Sequence, residues 1–248
     1  MSVKCEALNK AFGGTQALSN IDLEFPSRGI IALVGPNGAG KTTLINILTG
    51  FERADSGRCF VDADDVTGRS PHWIAQLGVT RTFQEVRLLW GISIVENVMF
   101  ARRRQAGEGI LRCLWTLGIE DDELRNRKQA EQWLRFIGLH QLKHRTPDQL
   151  SYGQQKLLSL ACSLATEARV LFLDEPIAGV DLNLREHTLQ LLRQLRDDKR
   201  LIVFIEHDLD AVKEVADLVL VMDHGTVLTS GPPDVLYRDD VLKAYTGR

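Results

Sequence analysis

The segment GPNGAGKTT, residues 35–43, concentrates three glycines, a lysine and two threonines directly after the apolar run IIALV. Gly35, Gly40, Lys41 and Thr42 satisfy the spacing G-x-x-x-x-G-K-[ST]. Glycine lets a backbone wrap closely enough for several N–H groups to converge on one anion, and a helix beginning there adds the positive end of its dipole. The candidate cradle therefore comprises Gly35, Pro36, Asn37, Gly38, Ala39, Gly40, Lys41, Thr42 and Thr43, with Lys41 as a point charge for outer phosphates and the Thr42 hydroxyl as a donor to Mg²⁺. Accidental agreement at the four fixed positions occurs in on the order of a percent of chains of this size. The motif leaves kinase, GTPase and ATPase chemistry open.

A second group of polar residues sits at the ends of other apolar runs. In VLFLDEP, residues 170–176, Asp174 is placed to hold Mg²⁺ through water, and Glu175 to orient and deprotonate an attacking water. An acid opening a helix before Pro176 is the simpler alternative for such a pair. LIVFIEHD, residues 201–208, sets His207 beyond a similar run, where it could hydrogen-bond a terminal phosphate. Gln84, in RTFQ, carries a neutral amide able to meet both a metal's hydration shell and a water; on its own it reads as an ordinary polar loop residue.

These groups need a scaffold that brings strand ends together. Unbroken apolar runs at 30–34, 170–173, 201–205 and 218–222 read as strands buried on both faces, with helical stretches such as Thr42 to Leu48 and Asn183 to Leu195 between them. A parallel sheet with crossover helices follows. From Val3 to Phe25 the alternation of apolar and polar residues, broken by GGT and PSRG, predicts antiparallel strands. Asp223-His224-Gly225 predicts a closing hairpin with TVLTS, and Asp234 an N-cap for a C-terminal helix. From about 88 to 164 the pattern turns helical and charged, which predicts an inserted helical lobe; Ile92 to Val98 is its one candidate strand. Trp115, Trp133 and Phe136 have core spacing, and Arg102 to Arg104 reads as a solvated charged face.

Composition narrows the class. Apolar residues make up 44% and charged residues 25% of 248, which fits a folded globular chain. The longest apolar run is five residues, against about 20 for a membrane-crossing helix. MSVKCEALNK lacks an apolar segment of the secretory type, so a cytoplasmic location is expected. Net charge is −3 with both signs interspersed, which argues against nucleic acid as a partner. Cys5, Cys59, Cys113 and Cys162 lack metal-site spacing and are expected to be reduced thiols.

LSYGQQ, residues 150–155, separates the phosphate-loop classes. Ser151 can cap a helix there, and Gly153 would leave backbone exposed at its polarised start, an end able to hold another phosphate. The segment resembles the LSGGQ signature of ABC-type ATPases, with Tyr152 replacing the first glycine. In order, Phe12, GPNGAGKTT, Gln84, LSYGQQ, VLFLDE, AGVD (178–181) and His207 resemble that family over nearly the whole chain. The resemblance implies one nucleotide-binding domain over 1–248, an α/β P-loop NTPase fold: a RecA-like core with a mainly parallel sheet, an antiparallel β-subdomain and an inserted α-helical subdomain.

It further implies ATP and Mg²⁺ as cofactors, Phe12 as the aromatic under adenine, and head-to-tail pairing with a second ATP-binding subunit. In such a pair Ser151, Gly153 and Gln154 would act on the partner's nucleotide, and Asp181 would lie near the seam. RTFQ, LSYGQQ, AGVD and the closing Tyr245-Thr246-Gly247 are most similar to ATPase subunits of branched-chain amino acid or urea uptake systems. That implies membrane-spanning permease partners, indirectly a substrate-binding protein, and a peripheral position on the cytoplasmic membrane face. The alternative is a soluble ABC ATPase of DNA maintenance or of ribosomes; the absence of a long coiled coil and of a basic surface argues against it.

Overall fold

The run IIALV has no polar position to offer solvent, so its strand needs a neighbour on each side and cover on each face. The computed structural model, which describes residues 1–102 and 119–246, gives it both. Strand β3 (Gly29–Val34) lies between β8 (Leu201–Ile205) and β9 (Leu218–Asp223), and Ile30 to Val34 are wholly buried. Arg103, Arg104, Cys113, Trp115 and Gly247 lie outside the described residues.

Contacts divide the chain into two units. The first gathers Met1–Gln84, Arg169–Ala178 and Arg185–Arg248. Its six-stranded sheet runs β10 (Thr226–Gly231), β9, β3, β8, β7 (Val170–Asp174), β6 (Val79–Arg81); β9 through β6 are parallel, and β10 returns antiparallel on β9 as the closing hairpin. A four-stranded antiparallel sheet, in the order β2 (Thr15–Phe25), β1 (Val3–Phe12), β4 (Ser56–Val61), β5 (Asp64–Asp65), belongs to the same unit. Along β1 and β2 the inward positions Val3, Cys5, Leu8, Leu18, Ile21 and Phe25 are buried, as the alternation predicts. The two sheets share one core, where Phe25 meets Phe172 edge to face at 6.1 Å. Helix α1 (Lys41–Leu48) buries Leu44, Ile45, Ile47 and Leu48 in it. Helices α2 (Pro71–Gln76), α6 (Leu182–Asp197) and α7 (Leu209–Val215) follow their strands, and α7 is capped by Asp208, whose side chain accepts from the Asp210 and Ala211 amides.

The second unit comprises Glu85–Ala168 with Gly179–Leu184. It packs α3 (Ile94–Ala101), α4 (Ile119–Phe136) and α5 (Tyr152–Ala165) on one another. Trp133 and Phe136 meet edge to face at 5.9 Å. Among the described residues no helix is long and apolar enough to cross a membrane.

Two expectations fail. Ile92 to Val98 forms no strand: Ser93 and Glu96 close a capping box, and Ile94, Val95 and Val98 then fall on one buried helical face. Asp234 caps no helix, because prolines at 232 and 233 hold Pro233–Tyr237 in a tight 3-10 turn; α8 (Asp239–Thr246) starts two residues beyond it. The short strands β4, β5 and β6 are too brief and too polar to stand out in the pattern.

Phe172 is fully buried at the joint between the two sheets. Phe172→Ala is expected to cost about 3–5 kcal/mol, read as a drop in the denaturant midpoint at unchanged slope; a loss below about 1 kcal/mol would contradict the shared core.

Candidate functional site

Parallel pairing decides what the strand ends share. Leu33 pairs with Ile205, and Ile205 with Asp174, so β3, β8 and β7 finish level at their carboxyl ends. Just beyond those ends come Gly35, then Glu206 with His207, and Glu175. The segments they open border a cavity of about 400 Å³ whose wall includes Asn37 to Thr43, Gln84, Glu175, His207 and Thr15 to Ala17. Thus the structure brings together the phosphate loop, Gln84, Glu175 and His207, as their positions in the sequence suggest.

The loop requires its glycines. At Gly35, φ is +146° and an added Cβ would lie 2.1 Å from the Met222 carbonyl oxygen; at Gly40, φ is +97° and Cβ would lie 2.4 Å from that of Ala17. Both clashes are with backbone, which cannot swing aside. Lys41 is buried, and its ammonium donates to the carbonyl oxygens of Gly35 at 2.7 Å and Pro36 at 2.9 Å. Burial lowers its pKa, while the carboxylates of Glu175 and Asp174 pull it back up. A cation held this way, with the loop drawn around it, favours an anion entering beside it. Thr42 is exposed on the cavity wall and Thr43 half-buried.

Glu175 sits in the left-handed region at φ +49°. That conformation costs a non-glycine residue about 1–2 kcal/mol. Its amide donates to the Ile205 carbonyl at 3.0 Å and its carbonyl accepts from Ala178 at 3.3 Å, so the chain turns off β7 and the carboxylate faces the cavity. Gln84 Nε2 donates to Glu175 Oε2 at 3.3 Å, and His207 Nε2 lies 3.3 Å from Glu175 Oε1. The two residues flank one carboxylate from opposite oxygens. Such an arrangement can hold a carboxylate in place for base chemistry.

Asp174 is elsewhere. It is buried, off the cavity wall, and its Oδ2 takes an ion pair from Arg81 at 3.0 Å. Oxygen donors alone, the Thr42 hydroxyl, the Gln84 amide and the Asp174 carboxylate, suit a hard ion such as Mg²⁺, which keeps most of its water and takes few protein ligands. Among the described residues no group of three or more His, Cys, Asp or Glu is placed to hold a metal ion.

Other expected site residues lie apart from this cavity wall. Phe12 ends β1 with its ring exposed and Lys10 Nζ 4.9 Å from the centroid. In the helical unit Ser151 caps α5: its hydroxyl accepts from the Gln154 amide at 3.3 Å, and Gln154 Oε1 accepts from the Ser151 amide at 3.0 Å. Gly153 is buried rather than exposed, because Val180 and Leu184 pack on it; an added Cβ would come within 2.1 Å of Leu184 Cδ2. Asp181 is exposed and accepts from the Leu184 amide at 3.0 Å. Tyr245 buries its hydroxyl near the Gly35 backbone, and burial raises its pKa.

Sequence reasoning missed Arg81, Asn46 and Glu206. Buried Glu206 accepts from the Ile177 amide at 2.8 Å and so steadies the turn after Glu175. An acid at the end of an otherwise apolar strand was its only signal. Cys5 and Cys59 are buried free thiols pushed up to about 12, and burial raises the half-buried Cys162 thiol likewise to about 12; none lines the cavity.

A glycine loop between a buried strand and a helix, closing on a buried lysine beside strand-end carboxylates, defines a P-loop nucleotide-binding domain. The chain belongs to the ABC transporter family, whose ATPase cassette it is: that family's profile matches residues 18–178. It is 35% identical to the high-affinity branched-chain amino acid transport ATP-binding protein BraF of Pseudomonas aeruginosa, over 99% of this chain and 97% of that one. To LivG of Escherichia coli, of the same description, it is 36% identical over 95% of this chain and 94% of that one. Its fold matches the ADP conformation of MJ1267, an ATP-binding cassette of an ABC transporter, with TM-score 0.85 and 31% identity over the full length of both chains.

Gly35→Ala is expected to weaken ATP binding at least about tenfold, since the clash moves the loop's first peptide by more than the roughly 1 Å that such sites tolerate. An isotherm matching the parent protein's would contradict the close approach to Met222.

Proposed function

We propose that this chain is the ATP-hydrolysing subunit of a membrane importer for branched-chain amino acids or related small polar solutes such as urea. The observation carrying the catalytic half is the carboxylate of Glu175, held between Gln84 and His207 on the wall of the phosphate-loop cavity. The transport half rests on the full-length similarity to BraF and LivG, which favours it over a soluble ATPase.

In this reading the amides of the loop and the Lys41 ammonium hold the outer phosphates of ATP, and Phe12 stacks on adenine. Glu175 takes a proton from the attacking water. His207 and Gln84 keep that carboxylate aimed, and His207 reaches the terminal phosphate. Thr42, Gln84 and, through water, Asp174 would hold Mg²⁺, whose bound charge offsets that of the transferring phosphoryl group. Direct transfer of the phosphoryl group to water needs no covalent intermediate on the protein.

The chain acts as a single nucleotide-binding domain over 1–248, with residues from about 88 to 164 as its helical subdomain. It pairs head to tail with a second ATP-binding subunit, so that Ser151, Gly153 and Gln154 close over the partner's nucleotide with Asp181 at the seam. Burial of Gly153 under Leu184 supports this role indirectly: it brings the segment holding Asp181 against the start of α5. ATP then favours the closed pair and hydrolysis the open one, a difference in affinity that drives permease subunits between states. The location proposed is the cytoplasmic face of the membrane, with a substrate-binding protein engaged only through the permease.

Glu175→Gln should leave ATP affinity within a few-fold of the parent while lowering steady-state turnover by roughly 100-fold or more, the usual worth of a general base. Turnover within a few-fold of the parent would remove Glu175 from this role. For the transport half, the chain purified from solubilised membranes of its own cell should carry membrane-spanning subunits; recovery free of them in repeated preparations would favour the soluble class.

A further inference from the structure

The basic residue that opens RTFQ has no part in the chemistry above, yet it is the most committed side chain near the site. Arg81 ends β6, beside the last residues of β7. Its side chain is nearly buried, 5% exposed, as is that of the Asp174 it pairs with. Each of its nitrogens is used. Nε donates to the Thr82 carbonyl at 3.2 Å, Nη1 to Asn46 Oδ1 on α1, and Nη2 to Asp174 Oδ2 at 3.0 Å. The Phe83 and Phe51 rings lie 5.0 and 5.9 Å from the guanidinium carbon, and they pack edge to face on each other. Thr82 completes the enclosure, its hydroxyl accepting from the Asp174 amide at 3.2 Å.

We propose that Arg81 is a positioning residue for the Mg²⁺ site: it pins one oxygen of Asp174 and ties that carboxylate, through Asn46, to the helix that carries Lys41 and Thr42. The ion pair occupies Oδ2, so Oδ1 is the oxygen that would be left for a hydrated cation. Asn46 lies four residues past Thr42 on α1, so a rigid link through the guanidinium fixes the distance between the two proposed oxygen donors. A lysine could supply the charge but not the three-way fork. The inference rests on the reading of Asp174 as a contributor to Mg²⁺ binding.

Breaking a buried ion pair destabilises a protein whatever the pair does, so the test reads metal dependence and not stability or turnover. ADP affinity of the full chain is measured by calorimetry in EDTA and across a Mg²⁺ series, giving the Mg²⁺ concentration at half of the metal-dependent gain. For Arg81→Gln the EDTA affinity should stay within about twofold and the half-point should rise roughly 10- to 100-fold, as when the outer partner of a metal ligand is removed. Arg81→Lys should fall between, and Asn46→Ala should shift the same way. A folded Arg81→Gln with the parent half-point overturns the proposal; should that variant not fold, an unshifted Asn46→Ala overturns it. Asp174→Asn separates the two levels: if it too keeps the parent half-point, the metal reading itself is wrong, whereas loss of the gain in Asp174→Asn with none in the arginine variants removes Arg81 alone.

Discussion

The site depends on one register. Because β3, β8 and β7 run parallel and finish level, three unrelated segments of sequence release their polar residues at one edge. At about 4.8 Å per strand, the loop after β3 and the carboxylates after β7 are separated by roughly 10 Å, with His207 between them. A slip of one residue in any pairing would turn an entire strand face and scatter the group. The apolar runs fill the core on both faces, and the close fit of their side chains there resists the slip.

On that edge, charge is arranged before any ligand arrives. The Lys41 ammonium is taken from water and returned only two carbonyl oxygens, with the Asp174 and Glu175 carboxylates drawing on it from further away. Asp174 is in turn balanced by Arg81. An incoming triphosphate would meet the Lys41 ammonium already held at the loop and would exchange its carbonyl partners for phosphate oxygens. The left-handed backbone at Glu175 has the same sense: local strain, held by bonds to Ile205 and Ala178, keeps the carboxylate where an anion and a water would meet.

Much of this could be read from residue order. The buried strands announce themselves because parallel interior strands tolerate no polar position, and the phosphate loop because its glycines answer to backbone clashes that no other residue avoids. Glu175 and His207 were legible by being polar beyond apolar strands, and Gln84 only through the resemblance of RTFQ and the motifs around it. Arg81 and Asn46 were not, since their meeting depends on the pairing of β6 with β7 and on the rotation of α1, neither of which leaves a trace in spacing. The supposed strand at Ile92 to Val98 misled for a related reason: a short apolar run fits both periods, and only the Ser93–Glu96 cap decides for helix. At Gly153 the pattern hid a packing demand: the missing Cβ also makes room for Leu184, so the glycine is buried and not exposed.

The central claim is that the loop recognises the phosphate tail and not the nucleoside. Competition against a bound fluorescent ATP analogue, with Mg²⁺ present, tests this most directly. Inorganic tripolyphosphate should displace the analogue at concentrations where adenosine has no effect; displacement by adenosine with none by tripolyphosphate would contradict the account.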